Sequence, residues 1–301
     1  MGRYDRVMSY VLNTPWALTS ERLLLIMDLM AFYSEGQKFT AEEIEQRVGA
    51  AQRPTARTAG AIAVLPLFGI IAQRANIMTQ TSGGTSCEMF GRQFQAAMAD
   101  PQIGAVILDV DSPGGAVNGV DELSSMIYGA RGVKPVVAVA NSLAASAAYW
   151  IATAAEELVV TPTGEVGSIG VLAAHEDDSE MFEKAGVKTT LISAGKYKTE
   201  GNPYEPLSDE ARAYLQERVN DYYGLFVGAV ARNRGVGVQA VRDGFGEGRV
   251  VGAKQAKAQG MVDRIGTLDD TIERLQRRSQ SRARRSAELD IRQRRLRAHS
   301  R

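Results

Sequence analysis

The stretch AVILDVDSPGG, residues 105–115, combines a strand with the turn that follows it. Its first six residues are almost all apolar and β-prone, which is typical of a strand covered on both faces. The segment Asp111–Gly115 then ends in two adjacent glycines, whose backbone can point N–H groups into a cleft, as an oxyanion hole requires. An ordinary strand-to-helix turn is the simpler alternative for this segment.

The same succession of strand and helix repeats on both sides of this stretch. Upstream, the sequence predicts a strand at 61–67 and a helix at 86–99. Downstream of a helix at 117–130, a strand at 136–140 leads into a helix that begins at Ser146. Repeated β-then-α units favour an α/β domain with a largely buried sheet.

A serine and a lysine in this region are suited to nucleophilic catalysis. Ser146 is expected at a helix N-terminus, where the helix dipole favours developing negative charge. Lys198 follows about fifty residues later, in a polar segment that contains glycine. The chain has only two histidines, His175 and His299, and a lysine whose pKa is lowered by burial can replace histidine as the base for a serine. Taken singly, helix capping by Ser146 and a solvated Lys198 are the ordinary interpretations.

Composition and charge set limits on the class of protein. The 301 residues are 45% apolar, enough for one large domain or two modest ones. A single cysteine, Cys87, excludes an internal disulfide framework and cysteine-cluster metal sites, and it fits a reducing compartment. The longest apolar run, residues 61–72, is shorter than the ~20 residues that span a bilayer. We therefore expect a soluble, intracellular protein without a membrane span.

The basic and acidic residues are unevenly distributed. The chain has 35 basic and 35 acidic residues, and residues 274–301 contain eleven arginines but only two of the acidic residues. Residues 1–273 therefore hold 24 basic and 33 acidic residues. We expect residues 1–58 to be a helical extension with a linker, 59–273 the main domain, and 274–301 a basic tail that is a solvated helix or disordered. For this tail the charge predicts an anionic partner: nucleic acid, an acidic protein surface or the acidic body of the chain itself.

Together these motifs resemble the S49 serine peptidases, the signal-peptide-peptidase family. The likeness covers roughly residues 60–273 and rests on five segments: DSPGG at 111–115, ANSLAASAAYW at 140–150, GSIGV at 167–171, AGKYKTEGNPY at 194–204, and RVVGAKQA at 249–256 with GMVD at 260–263. The closest likeness within the family is to the phage and prophage branch, the head-maturation proteases of the lambdoid type. The N-terminal NTPW at 13–16, GNPY at 201–204 and Ser146-Ala147-Ala148, where cellular members usually have Ser-Gly-Gly, point to that branch.

The resemblance implies a fold, a site and a mechanism. The fold is the ClpP/crotonase type, an α/β architecture with a repeated ββα core. The implied nucleophile is Ser146 and the implied base is Lys198, favoured over Lys196 by its spacing after Gly195. An amide of Gly114 or Gly115 would supply the oxyanion hole, with the Ala147 N–H as a second donor.

The resemblance also implies partners and a location. We expect protein or peptide substrates, namely phage scaffold, portal or capsid proteins or the chain itself, and a homo-oligomeric ring with pockets between subunits. The location would be the cytoplasm of the bacterial host or the phage procapsid. The sequence contains no metal or nucleotide motif, and we expect no cofactor.

Two other functions remain open at this point. One is a catalytically idle capsid or scaffold component that has kept the serine and lysine by descent. The other is an acyl-CoA hydratase or isomerase of the crotonase type, which would use paired carboxylates and would not need Ser146 with Lys198.

Overall fold

The architecture is an α/β sheet domain with helices on both faces. The computed structural model describes residues 15–19, 56–75 and 84–281. Ten strands in these ranges form one mixed sheet. Their bounds are β1 Trp16–Leu18, β2 Arg57–Thr58, β3 Ile62–Ala72, β4 Thr85–Ser86, β5 Ala105–Ala116, β6 Val136–Ala145, β7 Glu157–Val160, β8 Glu165–Gly167, β9 Val250–Gly252 and β10 Arg264–Ile265.

The main sheet runs in the order β10-β7-β6-β5-β3-β2, and its central strands β3, β5, β6 and β7 are parallel. The three long strands each have two halves. The register shifts between Phe68 and Ile70 of β3 and between Val110 and Ser112 of β5, and β6 exchanges its partner β7 for β8 after Ala140. A helix follows the second half of each long strand. This arrangement confirms the predicted α/β class and its repeated ββα units.

Seven helices, α1 to α7, lie in the described part of the chain before residue 268. They are α1 Cys87–Ala99, α2 Val120–Gly129, α3 Ala147–Thr153, α4 Ser179–Lys184, α5 Asp209–Arg234, α6 Val238–Gly244 and α7 Ala253–Ala258. Residues 268–281 are also helical.

Local sequence explains where the longer helices begin and end. In α1 the buried residues Cys87, Phe90, Phe94 and Ala97 follow helical spacing, and the Ser86 hydroxyl caps the helix by accepting from the Met89 amide. Ser208 caps α5 in the same way, by accepting from the Ala211 amide. Helix α5 ends at Gly235, which has φ +67°, a left-handed conformation that glycine adopts without strain.

The larger core lies between the sheet and helices α1, α2, α3 and α5. At its centre the ring of Trp150 in α3 stacks on Phe226 in α5, with centroids 4.6 Å apart and planes 10° apart. Because both side chains are fully buried, this contact fixes the short helix α3 against α5. Since α3 directly follows Ser146, the packing also fixes the position of that residue.

The strands extend further than the sequence predicts. β5 continues from Val110 through the DSPGG segment to Ala116, and β6 continues from Ala140 to Ala145. The physical reason is pairing with strands outside the main strand order: residues 114–116 pair with β1 and residues 143–145 pair with β8. Tertiary pairing overrides the turn preference of Pro and Gly here.

The chain ends differ from the expected organisation where they are described. Residues 16–18 form a strand on β5, in a region expected to be helical, and residues 57–58 of the expected extension form β2. Residues 1–14 and 20–55 of the expected extension lie outside the described ranges. The expected start of the basic tail at residue 274 falls within the helical stretch 268–281.

That helical stretch covers the second face of the sheet. Its Leu268 and Leu275 pack with a smaller cluster that includes Ile107 and Val139 of the sheet. Arg274 forms an ion pair with Glu157 at 2.9 Å. Residues 274–281 are therefore part of the folded domain, while residues 282–301 lie outside the described part.

Among the described residues, no helix combines the length and the apolar character needed to cross a bilayer.

Candidate active site

Ser146 occupies a strained position between β6 and α3. Its backbone has φ 53° and ψ −120°, the conformation of the first central residue of a type II′ turn, which glycine normally takes. The amide of Ser146 donates to the Gly167 carbonyl at 2.7 Å, so pairing with β8 holds this conformation. The Ser146 side chain makes no capping hydrogen bond to α3, which excludes the simple capping role.

The Ser146 hydroxyl points toward the segment after β8. Its Oγ donates to the Gly170 carbonyl at 3.4 Å, a weak hydrogen bond. Gly170 also lines a cleft of about 680 Å³, whose other walls include Val219 and Tyr223 of α5 and Arg242 of α6. The guanidinium of Arg242 lies 5.0 Å from the centre of the Tyr223 ring. The side chain of Ser146 thus faces a segment that also borders an open groove.

Of the two glycines in DSPGG, Gly114 is the one beside Ser146. It has φ +103°, and a Cβ on it would come within 3.0 Å of the Ser146 Cβ and would collide with the Ala17 carbonyl oxygen. Gly115 instead lies against the backbone of Ile71, where a Cβ would also collide. Only glycine fits at either position, and Gly114 has the better location for a donor to a group bound at Ser146.

The two predicted oxyanion donors differ in their present partners. The Gly114 amide donates to the Ser112 hydroxyl at 3.1 Å, and that hydroxyl donates to the Gly69 carbonyl at 2.6 Å. Ala147 is the first residue of α3, so its N–H has no acceptor within the helix. Ser146, Gly114 and Ala147 are brought together by the fold, and all three are buried.

The structure does not bring the Lys198 side chain to Ser146. Lys198 is exposed, and within the described ranges its ammonium group forms no hydrogen bond or ion pair. Lys196 is also exposed, but its ammonium donates to the Tyr197 hydroxyl at 2.8 Å and to Glu210 at 3.0 Å. These two hydrogen bonds raise the pKa of Lys196 above its usual range, which makes it a poor proton acceptor.

The GNPY motif at 201–204 organises the loop that carries Lys198. The Asn202 side chain donates to the Thr199 carbonyl at 2.7 Å and to Glu205 at 2.7 Å, and it accepts from the Tyr204 amide at 2.9 Å. The Tyr204 ring packs against Phe182 of α4, with centroids 5.2 Å apart. The motif thus gives the lysine loop a defined shape although the loop is exposed.

Other titratable residues considered for catalysis have different partners. The His175 ring contacts the Asn202 carbonyl at 3.2 Å and not Ser146, which argues against a histidine base. Asp109 is buried in the middle of β5 and accepts from the Asn141 amide group at 3.2 Å. Burial raises the pKa of Asp109. Asp109 therefore lies within the sheet, where it neither caps a helix nor forms a turn.

Within the described ranges, no group of three or more His, Cys, Asp or Glu residues is arranged to hold a metal ion.

Sequence reasoning missed the strand β1. Trp16, Ala17 and Leu18 are almost completely buried, and they pair with the glycine segment of β5. A run of three apolar residues after Pro15 was the only local signal, and it is too short to distinguish a strand from the start of a helix.

Comparison with known proteins identifies relatives of this chain. The profile of Peptidase family S49 matches residues 130–282. Capsid assembly protease C of Escherichia phage lambda is 37% identical over 211 residues, which are 70% of this chain and 48% of that protein. Head-tail preconnector protein GP5 of Enterobacteria phage P21 is 36% identical over 232 residues, which are 76% of this chain and 46% of that protein.

The chain thus spans about half the length of these two relatives. Among solved structures, a ClpP1 mutant from Listeria monocytogenes is 15% identical, with a TM-score of 0.44 over 69% of this chain and 94% of that one. The family profile covers just over half of the 301 residues, including Ser146, Ala147 and Lys198. The chain belongs to peptidase family S49.

Proposed function

We propose that this chain is a serine endopeptidase that uses Ser146 as nucleophile and Lys198 as base. The observation that carries the proposal is the backbone of Ser146, which is strained, makes no helix cap and lies against Gly114. Strain of this kind costs about 1–3 kcal/mol and is concentrated at functional sites. A serine that only ended a strand would not need it.

The proposed mechanism follows from these positions. Neutral Lys198 accepts the proton of the Ser146 hydroxyl as Oγ attacks the carbonyl carbon of a peptide bond. The negative charge on the carbonyl oxygen is stabilised by the Gly114 and Ala147 amides, after the Gly114 amide exchanges Ser112 for the oxyanion. Collapse of the intermediate releases the amine, which takes the proton from Lys198. Water then hydrolyses the acyl-enzyme and regenerates Ser146.

The exposure of Lys198 supports completion of the site by assembly. A lysine accepts a proton near neutral pH only after it is removed from water. The segment that carries Lys198 also exposes apolar side chains, including Ile192 at 97% and Val187 at 51%. Most of the first half of α5 is exposed as well, and Tyr214 there is 54% accessible. We propose that a neighbouring subunit of a homo-oligomer covers this flank, which consists of the Lys198 segment and the first half of α5. Burial of the flank would bring the Lys198 side chain to Ser146.

The aromatic residues of α5 divide between this flank and the core. Phe226 is fully buried in the core of the chain itself, and Tyr222 and Tyr223 are half-buried against that core. Tyr214 is the exposed tyrosine of the helix and contributes most to the proposed subunit contact.

The names of the relatives support a role in phage head assembly. We propose that the substrates are scaffold, portal or capsid proteins, or the chain itself, within the bacterial cytoplasm or the procapsid. The family membership argues against the acyl-CoA alternative. The catalytically idle alternative has the same fold and requires an experiment.

That experiment compares wild type, Ser146→Ala and Ser142→Ala after co-expression with the neighbouring head genes. Ser142 is an exposed serine of β6, the strand that leads to Ser146, and it serves as the matched control. New protein termini, mapped by mass spectrometry, should appear with wild type and Ser142→Ala and be absent with Ser146→Ala. Equal processing by Ser146→Ala would reject Ser146 as nucleophile, and no processing by wild type would favour the idle protein.

A further inference from the structure

The candidate nucleophile is closed off from solvent. Ser146 and Ala147 are 0% exposed, and Gly114 is buried. A peptide bond cannot reach Ser146 while this cover remains in place. The cover on the Gly114 side is formed by β1, residues 16–18.

Strand β1 lies between two segments that border the candidate site. On one edge it pairs antiparallel with the end of β5, with Trp16 opposite Ala116, Ala17 opposite Gly115 and Leu18 opposite Gly114. On its other edge the Trp16 amide donates to the Leu172 carbonyl and the Leu172 amide donates to the Trp16 carbonyl, both at 2.9 Å. Leu172 follows Gly170, the residue that accepts from the Ser146 hydroxyl.

This is the geometry in which an extended peptide is recognised by strand addition. A substrate must present its backbone to Gly114 and Ser146, and the Ala17–Leu18 backbone already passes there, with the Ala17 carbonyl oxygen against Gly114. The side chains of Trp16 and Leu18 are 1% and 3% exposed, so they fill spaces that a substrate side chain could otherwise enter.

We propose that residues 15–19 occupy the peptide-binding groove of this chain in cis and keep the peptidase site closed until the strand leaves. This inference rests on the proposed function. It also defines the preferred occupant of the groove, an extended segment with two large apolar side chains separated by a small residue. A substrate must compete with β1 for the same backbone partners.

A reversible disulfide between β1 and β5 tests the proposal. The Val117 amide donates to the Pro15 carbonyl and the Thr19 amide to the Pro113 carbonyl, so by alternation Trp16 and Ala116 are a non-hydrogen-bonded pair. Such pairs have the short Cα separation that a disulfide accepts. The double variant Trp16→Cys/Ala116→Cys can therefore be locked by oxidation and released by dithiothreitol.

The native cysteine will not interfere with this design. Cys87 is buried, and burial raises the pKa of its thiol to about 12. Hydrolysis of a fluorogenic peptide should fall at least about tenfold on oxidation and recover on reduction, because the locked strand cannot leave. Equal rates in the two states would overturn the proposal, since a purely structural strand is indifferent to the lock.

A single substitution provides a second test should the double variant fold poorly. Leu18→Asp places a charge in a buried position and should expel β1. It should raise the rate at low substrate concentration by about tenfold. Val133→Asp, at a side chain 70% exposed, is the control and should not change the rate. A Leu18→Asp protein that is folded by circular dichroism and no faster than wild type would contradict the proposal.

A binding measurement separates this proposal from the proposed function. A labelled synthetic peptide of residues 11–22 should bind the reduced double variant or Leu18→Asp, and should not bind the oxidised form. Binding needs no catalysis. Absence of this binding would reject cis occupancy even if Ser146-dependent hydrolysis is intact. Binding without any Ser146-dependent hydrolysis would reject the peptidase function alone.

Discussion

At the scale of single residues, the conformation of Ser146 carries most of the chemical information. Its φ of 53° is unfavourable for any residue with a Cβ, and the neighbouring sheet strands enforce it. The resemblance to the S49 family pointed to Ser146, Ala147 and either Gly114 or Gly115, and the structure places Gly114 beside Ser146. The sequence could not predict the strain, which arises when β6 pairs with β8 immediately before α3 begins.

This strain predicts opposite effects on stability and activity. Ser146→Gly should stabilise the fold by about 1 kcal/mol, because glycine adopts this conformation freely. Ser146→Ala should leave the free energy of unfolding nearly unchanged, since no capping hydrogen bond is lost. Both variants should be inactive. Urea unfolding measures the stability of each variant, and peptide hydrolysis measures its activity. A Ser146→Gly protein less stable than Ser146→Ala would show that the backbone of Ser146 is unstrained.

The two lysines of the 194–204 segment are predicted to differ strongly. Lys198→Arg should lower kcat by about 10²-fold or more, because arginine stays protonated and cannot act as a base. Lys196→Ala removes an exposed ion pair with Glu210 and an exposed hydrogen bond to the Tyr197 hydroxyl, and it should have a small effect. Steady-state kinetics of peptide hydrolysis decides between them. The reverse ranking would transfer the role of base to Lys196.

At the scale of elements, an ion pair joins the end of α5 to the segment before β10. Arg234 is 8% exposed and Asp263 38% exposed, and their closest atoms are 2.7 Å apart. Burial opposes ionisation of the Asp263 carboxyl, but hydrogen bonds from Arg234 and the Leu158 amide outweigh it and hold the pKa below its usual range. The ionised carboxylate therefore contributes stability above its unfolded pKa, and this contribution disappears as the pH falls through its folded pKa.

Asp263→Asn should accordingly destabilise the protein at pH 7 by about 1–3 kcal/mol, a range that allows for partial solvent screening of the pair. The difference between variant and wild type should shrink as the pH falls below about 4, where the carboxyl of the unfolded chain becomes protonated, and should disappear once the pH falls through the lower pKa of the folded protein. Urea unfolding across this pH range measures it. A difference that stays constant down to pH 2 would mean that the charge of Asp263 is not responsible.

The elements also show which features are readable from sequence. Helix α1 was predicted within one residue, because apolar spacing and the Ser86 cap agree. The ends of β5 and β6 were not predicted correctly, because the second halves of these strands pair with β1 and β8, which lie outside the local sequence. The exposure of Lys198 could not be read from its segment either, since burial of a side chain depends on what packs against it.

At the scale of the whole molecule, the domain is larger at its C-terminal end than charge patterning indicates. Leu275 is 3% exposed, and Gln276 donates to the Ala59 carbonyl at 3.3 Å. The sequence did not predict that this helix packs on the sheet, because the segment is rich in arginine and only Leu268, Ile272 and Leu275 provide its apolar face. The net positive charge is concentrated beyond it, in residues 282–301, which contain eight arginines against Glu288 and Asp290.

Two truncations separate the folded helix from the basic end. Removal of residues 282–301 should leave stability and peptide hydrolysis intact, and should weaken recruitment into phage shells if the basic end binds an anionic partner. The recruitment of wild type should then fall as salt is added. Removal of residues 274–301 should cost at least about 3 kcal/mol of stability, mainly through loss of Leu275. Shells that contain a normal copy number of the shorter truncation would exclude the recruitment role.

A serine nucleophile at position 146 must form a covalent bond to the substrate during turnover. The most direct measurement is acid quenching during turnover of a peptide ester, followed by intact-mass and peptide mass spectrometry. We predict a mass increase equal to the acyl group, located on the peptide that contains Ser146 and absent from Ser146→Ala. Continued hydrolysis with the acyl group on another residue, or with unmodified Ser146 at every quench time and undiminished turnover by Ser146→Ala, would contradict this prediction.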